Sequence, residues 1–177
     1  MAVRQGGSEH TLPGLSWRPM AEADLDGVVA VAAGAFPDHP EDRACFVNRL
    51  ALHPAGCKVL ADEAGGVAGY LISYPWRADD APALNVVLSG LPEAPKVYYL
   101  HDLALTPAAR GGGHAAAGVA LAAQAARDAD LSTVTLTAVN GAGPFWARQG
   151  FAPRHTPAMA AKLAGYGADA TYMIRVL

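Results

Sequence analysis

One stretch constrains the fold more than any other: an apolar strand runs directly into a glycine turn that opens an alanine-rich helix. It covers residues 98–115 and reads YYLHDLALTPAARGGGHA. Glycine lets a backbone turn tightly and approach a ligand closely, and the first N–H groups of a helix have no partner inside it. These groups lie at the positive end of the helix dipole. The stretch therefore predicts a site for a phosphate or a pyrophosphate.

The glycine turn does not match the two commonest nucleotide-binding motifs. It lacks the Gly-Lys-Ser/Thr ending of a P-loop, and it does not give Gly-x-Gly-x-x-Gly with an acidic residue about 20 positions later. Read as Arg110-x-x-Gly113-x-Ala115, however, it resembles the Gln/Arg-x-x-Gly-x-Gly/Ala signature of the GNAT superfamily of acyl-CoA-dependent N-acetyltransferases.

Two further blocks extend this resemblance. Residues 134–151, VTLTAVNGAGPFWARQGF, are similar to a later part of the family: a strand, an Asn, a short helix with an aromatic pair, then Gly-Phe. Residues 15–36 resemble the family's opening strand and first helix. The resemblance covers roughly residues 15–177 and implies a single α/β domain, with a central mixed, mostly antiparallel sheet flanked by helices. We expect residues 1–14 to be a disordered leader.

Hydrophobic periodicity and turn residues predict the individual elements. The predicted strands are residues 15–18, 59–61, 67–74, 97–105, 133–138 and 172–176. The predicted helices are residues 25–36, 41–52, 112–128 and 142–148. Between them, residues 75–95 form a long loop, which is either functional or an ordinary surface insertion. The alternation of strands and helices indicates an α/β sheet with mixed pairing.

Composition excludes several classes of function. The chain has 177 residues, 52% of them hydrophobic, which suits one domain with a sizeable core. A net charge of −3 without a basic run argues against nucleic-acid binding. No segment is typical of a signal peptide or membrane anchor, so we expect a cytoplasmic protein. Reduced thiols are expected at Cys45 and Cys57, and the scattered histidines predict no metal site. A homodimer is one option that the sequence leaves open.

The resemblance implies how acetyl-CoA binds. The backbone of strand residues pairs with the pantetheine arm, the glycine turn and helix start bind the pyrophosphate, and Asn140 and Phe145 complete the site; the strand and turn residues are Leu103, Ala104, Leu105, Arg110, Gly111, Gly112, Gly113, His114 and Ala115. Asn140 is equally suited to cap the following helix, and Phe145 to pack in the core.

His101 is the candidate catalytic residue. Regular alternation along the strand places Tyr99, His101 and Leu103 on one face and Asp102 on the other. The segment His101–Leu105 resembles the arylalkylamine N-acetyltransferase branch, in which a histidine here helps deprotonate the amine. An imidazole with an ordinary pKa of about 6.5 can accept that proton near neutral pH. The alternative is a core histidine bonded to a backbone carbonyl.

The sequence departs from the family at one position. Trp146 stands where GNAT enzymes commonly carry the tyrosine that protonates the departing thiolate, and an indole N–H is not a useful acid. Water, Tyr166, Tyr172 or His155 remains for that role. The same departure favours the alternative function, a non-catalytic acyl-CoA-binding sensor; a structural interaction protein is a third class.

The acceptor is expected to be a small-molecule primary amine. Trp76 and Tyr99 are candidate walls of its pocket, in segments that also carry five acidic residues: Asp38, Glu41, Asp42, Asp79 and Asp80. Acidic groups beside an apolar wall attract a cation, so amines should be preferred over acidic acceptors, with activity that falls as salt is added.

Overall fold

Seven strands and five helices alternate along residues 14–177, the part of the chain that the computed structural model describes. The strands are β1 (Ser16–Pro19), β2 (Cys57–Ala61), β3 (Val67–Trp76), β4 (Val97–Leu105), β5 (Thr133–Ala138), β6 (Ala152–Pro153) and β7 (Thr171–Val176). The helices are α1 (Leu25–Ala35), α2 (Arg43–Leu52), α3 (His114–Asp128), α4 (Gly143–Arg148) and α5 (Pro157–Leu163). The expected leader lies outside the described residues, apart from Gly14.

The strands form one open sheet in the order β1-β2-β3-β4-β5-β7-β6. Every neighbouring pair is antiparallel except β4 and β5, which run parallel. The predicted mixed, mostly antiparallel sheet is confirmed, and β4 and β5 have the predicted bounds. Two elements were not predicted: β6 is only two residues long, and α5 starts at a proline, with the hydroxyl of Thr156 accepting the N–H of Met159 at 3.2 Å.

Helices cover both faces of the sheet. Buried apolar side chains of α1 and α2 pack on one face, and the alanine-rich face of α3 packs on the other. The contact with α3 is close, because a Cβ on Gly118 would lie 2.8 Å from Leu103. At the start of this helix, Nε1 of Trp17 donates a hydrogen bond to the carbonyl of His114 at 3.0 Å. The helix that follows the glycine turn is therefore packed firmly against the sheet.

Cys45 and Cys57 are buried free thiols. Burial raises the pKa of Cys57 to about 12, so this thiol stays protonated at neutral pH. None of the helices within residues 14–177 has the length and apolarity required to cross a bilayer.

Candidate active site

Strands β4 and β5 part soon after they meet. Their pairing is confined to Tyr98 with Val134 and Tyr99 with Thr135. Farther along, a cavity of about 520 Å³ lies between the end of β4 and the chain that follows β5. Its lining includes Leu103, Ala104 and Leu105 at the end of β4, and Asn140 and Phe145 beyond β5. The strand residues predicted to meet the pantetheine arm thus border an open cavity.

The glycine turn closes one end of this cavity. Gly111 and Gly113 have φ of +84° and +79°, a backbone conformation that favours glycine, and a Cβ at either position would meet open space. Among the described residues, no backbone hydrogen bond engages the N–H groups of residues 111–116; the next, that of Ala117, donates to Gly113 at 3.1 Å. All the predicted turn residues line the cavity except Gly112. The row of free donors fits a pyrophosphate.

A second cavity, of about 220 Å³, adjoins the first. The two share five lining residues, which form their common boundary: Phe36, Leu103, Val139, Ala142 and Phe145. We refer to them as the coenzyme cavity and the acceptor cavity. The acceptor cavity is walled largely by apolar and aromatic side chains, and the described lining contains two carboxylates, Glu41 and Asp102, but neither lysine nor arginine.

A β-bulge in β4 turns the side chain of Asp102 to the face opposite to the predicted one. Ile72 of β3 pairs with Asp102 while its neighbour Ser73 pairs with Leu100, so His101 is an extra residue without a partner across the ladder. One extra residue shifts the alternation of side chains by one. His101 and Asp102 therefore face the same side, and Leu103 packs on the opposite face of the sheet against α3. The expectation that Asp102 points away from His101 was wrong.

His101 forms a close pair with Glu41, which lies 60 positions earlier in the chain, just before α2. Nε2 of His101 donates to Oε1 of Glu41 at 2.7 Å, and both side chains are about 5% exposed. With the proton assigned to Nε2, Nδ1 accepts a hydrogen bond from the hydroxyl of Tyr74 at 3.2 Å. His101 is thus held through side chains rather than through the backbone carbonyl considered from the sequence.

The acidic neighbours make His101 a stronger base than an isolated imidazole. Burial alone would lower the pKa of His101, but the negative charges of Asp102 and Glu41 outweigh it and raise that pKa above its ordinary value. Burial likewise works to raise the pKa of Glu41, yet the attraction of His101 and its hydrogen bond lower it. Glu41 is therefore the ionised partner of the pair.

Asp102 completes the cluster. Its Oδ2 accepts the hydroxyl of Tyr70 at 2.9 Å and lies 4.0 Å from Nε2 of His101. Its other oxygen has no hydrogen-bond partner among residues 14–177. Burial and the charge of Glu41 raise the pKa of Asp102, although His101 opposes this shift. Asp102 thus presents a carboxylate oxygen of increased basicity at the acceptor cavity.

One ligand atom from each of Glu41, His101 and Asp102 lies within 4.8 Å of the others, a spacing that could also hold a metal ion. The 2.7 Å separation of Nε2 and Oε1 is that of a hydrogen bond, however. Two ligands of one tetrahedral zinc ion stand about 3.3 Å apart, given bond lengths near 2.0 Å. The arrangement therefore fits proton chemistry better than metal coordination.

Of the other predicted site residues, Tyr99, Asn140 and Phe145 line a cavity, whereas Trp76 does not. Tyr99 lines the acceptor cavity, where its hydroxyl lies 3.0 Å from that of Thr137. Trp76 borders neither cavity; it is buried in the core, edge-on to Tyr74. Asn140 has φ of +55° and lines the coenzyme cavity, and the N-cap of α4 is Ala142 rather than Asn140. Phe145 packs against Trp146 and borders both cavities.

Of the three side chains considered for thiolate protonation, Tyr166 alone lines the acceptor cavity within the described residues. Its hydroxyl donates to the carbonyl of Pro82, and burial raises the pKa of Tyr166 to about 12. The hydroxyl of Tyr172 accepts the N–H of Asp79 at 3.2 Å, and Tyr172 lines neither cavity. His155 is exposed.

Most of the acidic residues predicted to attract the acceptor are committed elsewhere. Asp79 is paired with Arg154 at 2.5 Å, and Asp80 with Lys162 and Arg77. Only Glu41 of the five lines the acceptor cavity in the described part of the chain. Attraction by a free acidic surface is therefore weaker than expected, and the fall of activity with added salt stays a prediction.

Known proteins resemble this chain in sequence or in fold. A family model described as the acetyltransferase (GNAT) family matches residues 17–151. Ard1 from Thermoplasma volcanium has a similar structure, with a TM-score of 0.69 and 16% identity over 92% of this chain and 97% of that one. No curated protein matches the sequence.

Two further similar structures are described with ligands. The NatC complex bound to Gag peptide and CoA gives a TM-score of 0.70 at 14% identity, over 92% of this chain and 98% of that one. N-acetylglutamate synthase from Neisseria gonorrhoeae, complexed with coenzyme A and N-acetyl-glutamate, gives 0.67 at 17%, over 93% of this chain and 35% of that one. At such identities the likeness shows the fold alone, and the molecules bound beside the coenzyme in these two structures differ in kind.

Proposed function

Because the GNAT model matches most of its length, the chain belongs to the GNAT acetyltransferase family and uses acetyl-CoA as acetyl donor, and we propose that its acceptor is the primary amine of a small, largely apolar molecule. The amine attacks directly within a complex of both substrates. The observation that carries this proposal is the acceptor cavity itself: about 220 Å³, aromatic, and lined by two carboxylates and His101, with neither lysine nor arginine among the described lining residues.

The coenzyme cavity suits the donor. Bound acetyl-CoA would supply an acetyl group activated as a thioester. The free N–H groups from Gly111 to Ala115, with the charge of Arg110 beside them, would hold its pyrophosphate. The backbone of Leu103 to Leu105, which β5 leaves unpaired, would align the pantetheine arm and polarise the thioester carbonyl.

The acceptor cavity discriminates by charge. Glu41 and Asp102 favour a cation, whereas an acidic acceptor such as glutamate would find no lysine or arginine among the described lining residues. Placing an unpaired carboxylate in an apolar cavity costs several kcal/mol. The free oxygen of Asp102 would accept a hydrogen bond from the ammonium group and orient the nitrogen towards the shared boundary of the two cavities.

His101 would act as the general base. An alkylammonium must lose its proton before it attacks, and the raised pKa of His101 makes that transfer less uphill than it is to an ordinary imidazole. Glu41 holds the ring at 2.7 Å and stabilises its charged form. Because Nε2 already carries the proton that it donates to Glu41, the basic nitrogen is Nδ1: the hydroxyl of Tyr74 would pass its proton to Nδ1 and take the amine's proton in exchange through water.

Tyr166 would protonate the departing thiolate in place of the family's tyrosine, since Trp146 has no suitable proton; to do so, its hydroxyl would turn away from the carbonyl of Pro82. The phenol lines the acceptor cavity, and its pKa of about 12 keeps it protonated at neutral pH. Trp146 is also what favours the second candidate function, a sensor that binds acyl-CoA without turnover.

A panel of acceptors with a free-thiol readout tests the proposal. The panel contains 2-phenylethylamine, putrescine, glutamate and a tripeptide with a free amino terminus, each with acetyl-CoA. We expect the two amines to release CoA faster than glutamate, and Asp102→Asn to slow turnover of the amines. A preference for glutamate or for the tripeptide would contradict the proposed acceptor. Binding of CoA without release from any acceptor would favour the sensor.

A further inference from the structure

The loop between β3 and β4 borders the acceptor cavity and is hydrogen-bonded to α2. Leu84 of this loop lines the cavity. The side chain of Asn48 bonds Leu88 in both directions, accepting its N–H at 2.9 Å and donating to its carbonyl at 3.0 Å. The buried guanidinium of Arg49 donates to the carbonyl of Val86. The segment 85–88 is therefore anchored to the helix that follows Glu41.

Through Asn85 this loop contacts Glu41, the hydrogen-bond partner of the candidate base His101. Its backbone N–H donates to Oε2 of Glu41 at 3.2 Å, while Oε1 of the same carboxylate accepts from His101. The side chain of Asn85 accepts the N–H of Asp42 at 2.7 Å and donates to the carboxylate of Asp42 at 3.2 Å. Three hydrogen bonds thus join Asn85 to residues 41 and 42.

These contacts matter because little else fixes Glu41. It lies in irregular chain between α1 and α2, so no helix sets the direction of its side chain. Asn85 has φ of +57°, a conformation that asparagine and glycine adopt far more readily than alanine. The unusual backbone of one residue therefore aims its N–H at the carboxylate.

We propose that Asn85 is a positioning residue, which fixes the carboxylate of Glu41 against His101 and so links the long loop to the proton-accepting pair. The inference rests on the proposed function. The charged groups that face His101 are Glu41, Asp102 of β4 and Arg49 of α2, and Tyr74 of β3 bonds its Nδ1. Of these, only Glu41 is held by Asn85, so a change at Asn85 reaches His101 through Glu41.

Substitutions of Asn85 to Ala and to Gly test the proposal. Both remove the side-chain bonds to Asp42, but glycine keeps the backbone conformation at low cost. Asp130 provides the matched control, because it has the same φ of +57° in an exposed turn after α3. Each variant is measured twice: by the pH profile of kcat/KM with an active amine, and by NMR titration of His101, assigned through its loss in His101→Gln.

We expect Asn85→Ala to lower the plateau of kcat/KM about tenfold, the typical effect of a lost hydrogen bond to a charged group. The titration midpoint of His101 should move to lower pH, because a displaced Glu41 stabilises the imidazolium less. Asn85→Gly should lie between Asn85→Ala and the wild type. Asp130→Ala, with the same backbone strain, should change neither quantity.

An unchanged midpoint of His101 in Asn85→Ala would overturn the proposal, as would an equal shift in Asp130→Ala. The NMR titration requires no acetyl transfer, so it separates the two hypotheses. Wild-type protein that turns over no amine would refute the proposed function, whereas the titration would still decide whether Asn85 positions the pair.

Discussion

Gly113→Val is the sharpest test of the coenzyme site, because two effects of the substitution can be separated. The first is on folding. Gly113 has φ of +79°, where a residue with a Cβ costs about 1–2 kcal/mol, and valine adds further crowding. A Cβ there meets no protein atom within 4 Å, so the folded structure tolerates the side chain sterically.

The second effect is on binding. A valine side chain would occupy the space through which a pyrophosphate approaches the free N–H groups of the turn. Loss of one hydrogen bond to a charged group costs about 1.5–3 kcal/mol. This corresponds to a roughly 10- to 150-fold increase in the Kd of CoA. Pantetheine, which lacks the pyrophosphate, should bind the variant and the wild type equally.

Gly65→Val is the matched control, since Gly65 has φ of +88°, open space at its Cβ and a position in the turn between β2 and β3. Calorimetry with CoA and with pantetheine gives both dissociation constants, and thermal unfolding confirms that each variant is folded. We expect both variants to lose stability but only Gly113→Val to lose CoA affinity. Unchanged CoA affinity in folded Gly113→Val would refute the assignment of the pyrophosphate site.

Three further predictions concern the acceptor side. His101→Ala should lower kcat by about 10²-fold near neutral pH and leave the Kd of CoA, measured by calorimetry, unchanged; a full-rate variant would assign the base elsewhere. Only deprotonated His101 accepts a proton, so kcat should rise with pH through a midpoint above the ordinary pKa of about 6.5. Glu41→Gln should move this midpoint to lower pH, because it removes a negative charge that raises the pKa of His101. Tyr166→Phe should slow turnover roughly tenfold or more, the range of general acid catalysis, in rapid-mixing assays of thiol release; an unaffected rate would leave protonation to water.

Much of the lining of the coenzyme cavity could be predicted because its parts are adjacent in the sequence. The strand, the turn and the helix start occupy residues 98–115 without interruption, and glycine at 111 and 113 meets a local requirement of the backbone. The pairing of β4 and β5 follows from the same local order, since a helix connects two strands that then run parallel.

The side chains around His101 are brought together by contacts between distant parts of the chain, which no local sequence pattern shows. Regular alternation placed Asp102 away from His101, and one extra residue in the ladder reversed this. Glu41 was noted only as one of several acids, because nothing nearby in the sequence marks the residue that reaches His101 60 positions later. Asn85 lies in a loop without periodicity, and its role follows from three contacts with residues more than 40 positions away.

The sequence by itself determined the α/β fold, the glycine turn and the strand that carries His101, since hydrophobic period and backbone freedom are properties of neighbouring residues. Tertiary structure decided the surroundings of His101, because the pKa of a base depends on burial and on charges a few ångströms away. The bulge brings Asp102 beside His101, and the chain before α2 brings Glu41. Such distances are set by how distant segments pack together. The contact between the β3–β4 loop and Glu41 is therefore visible only in the folded structure.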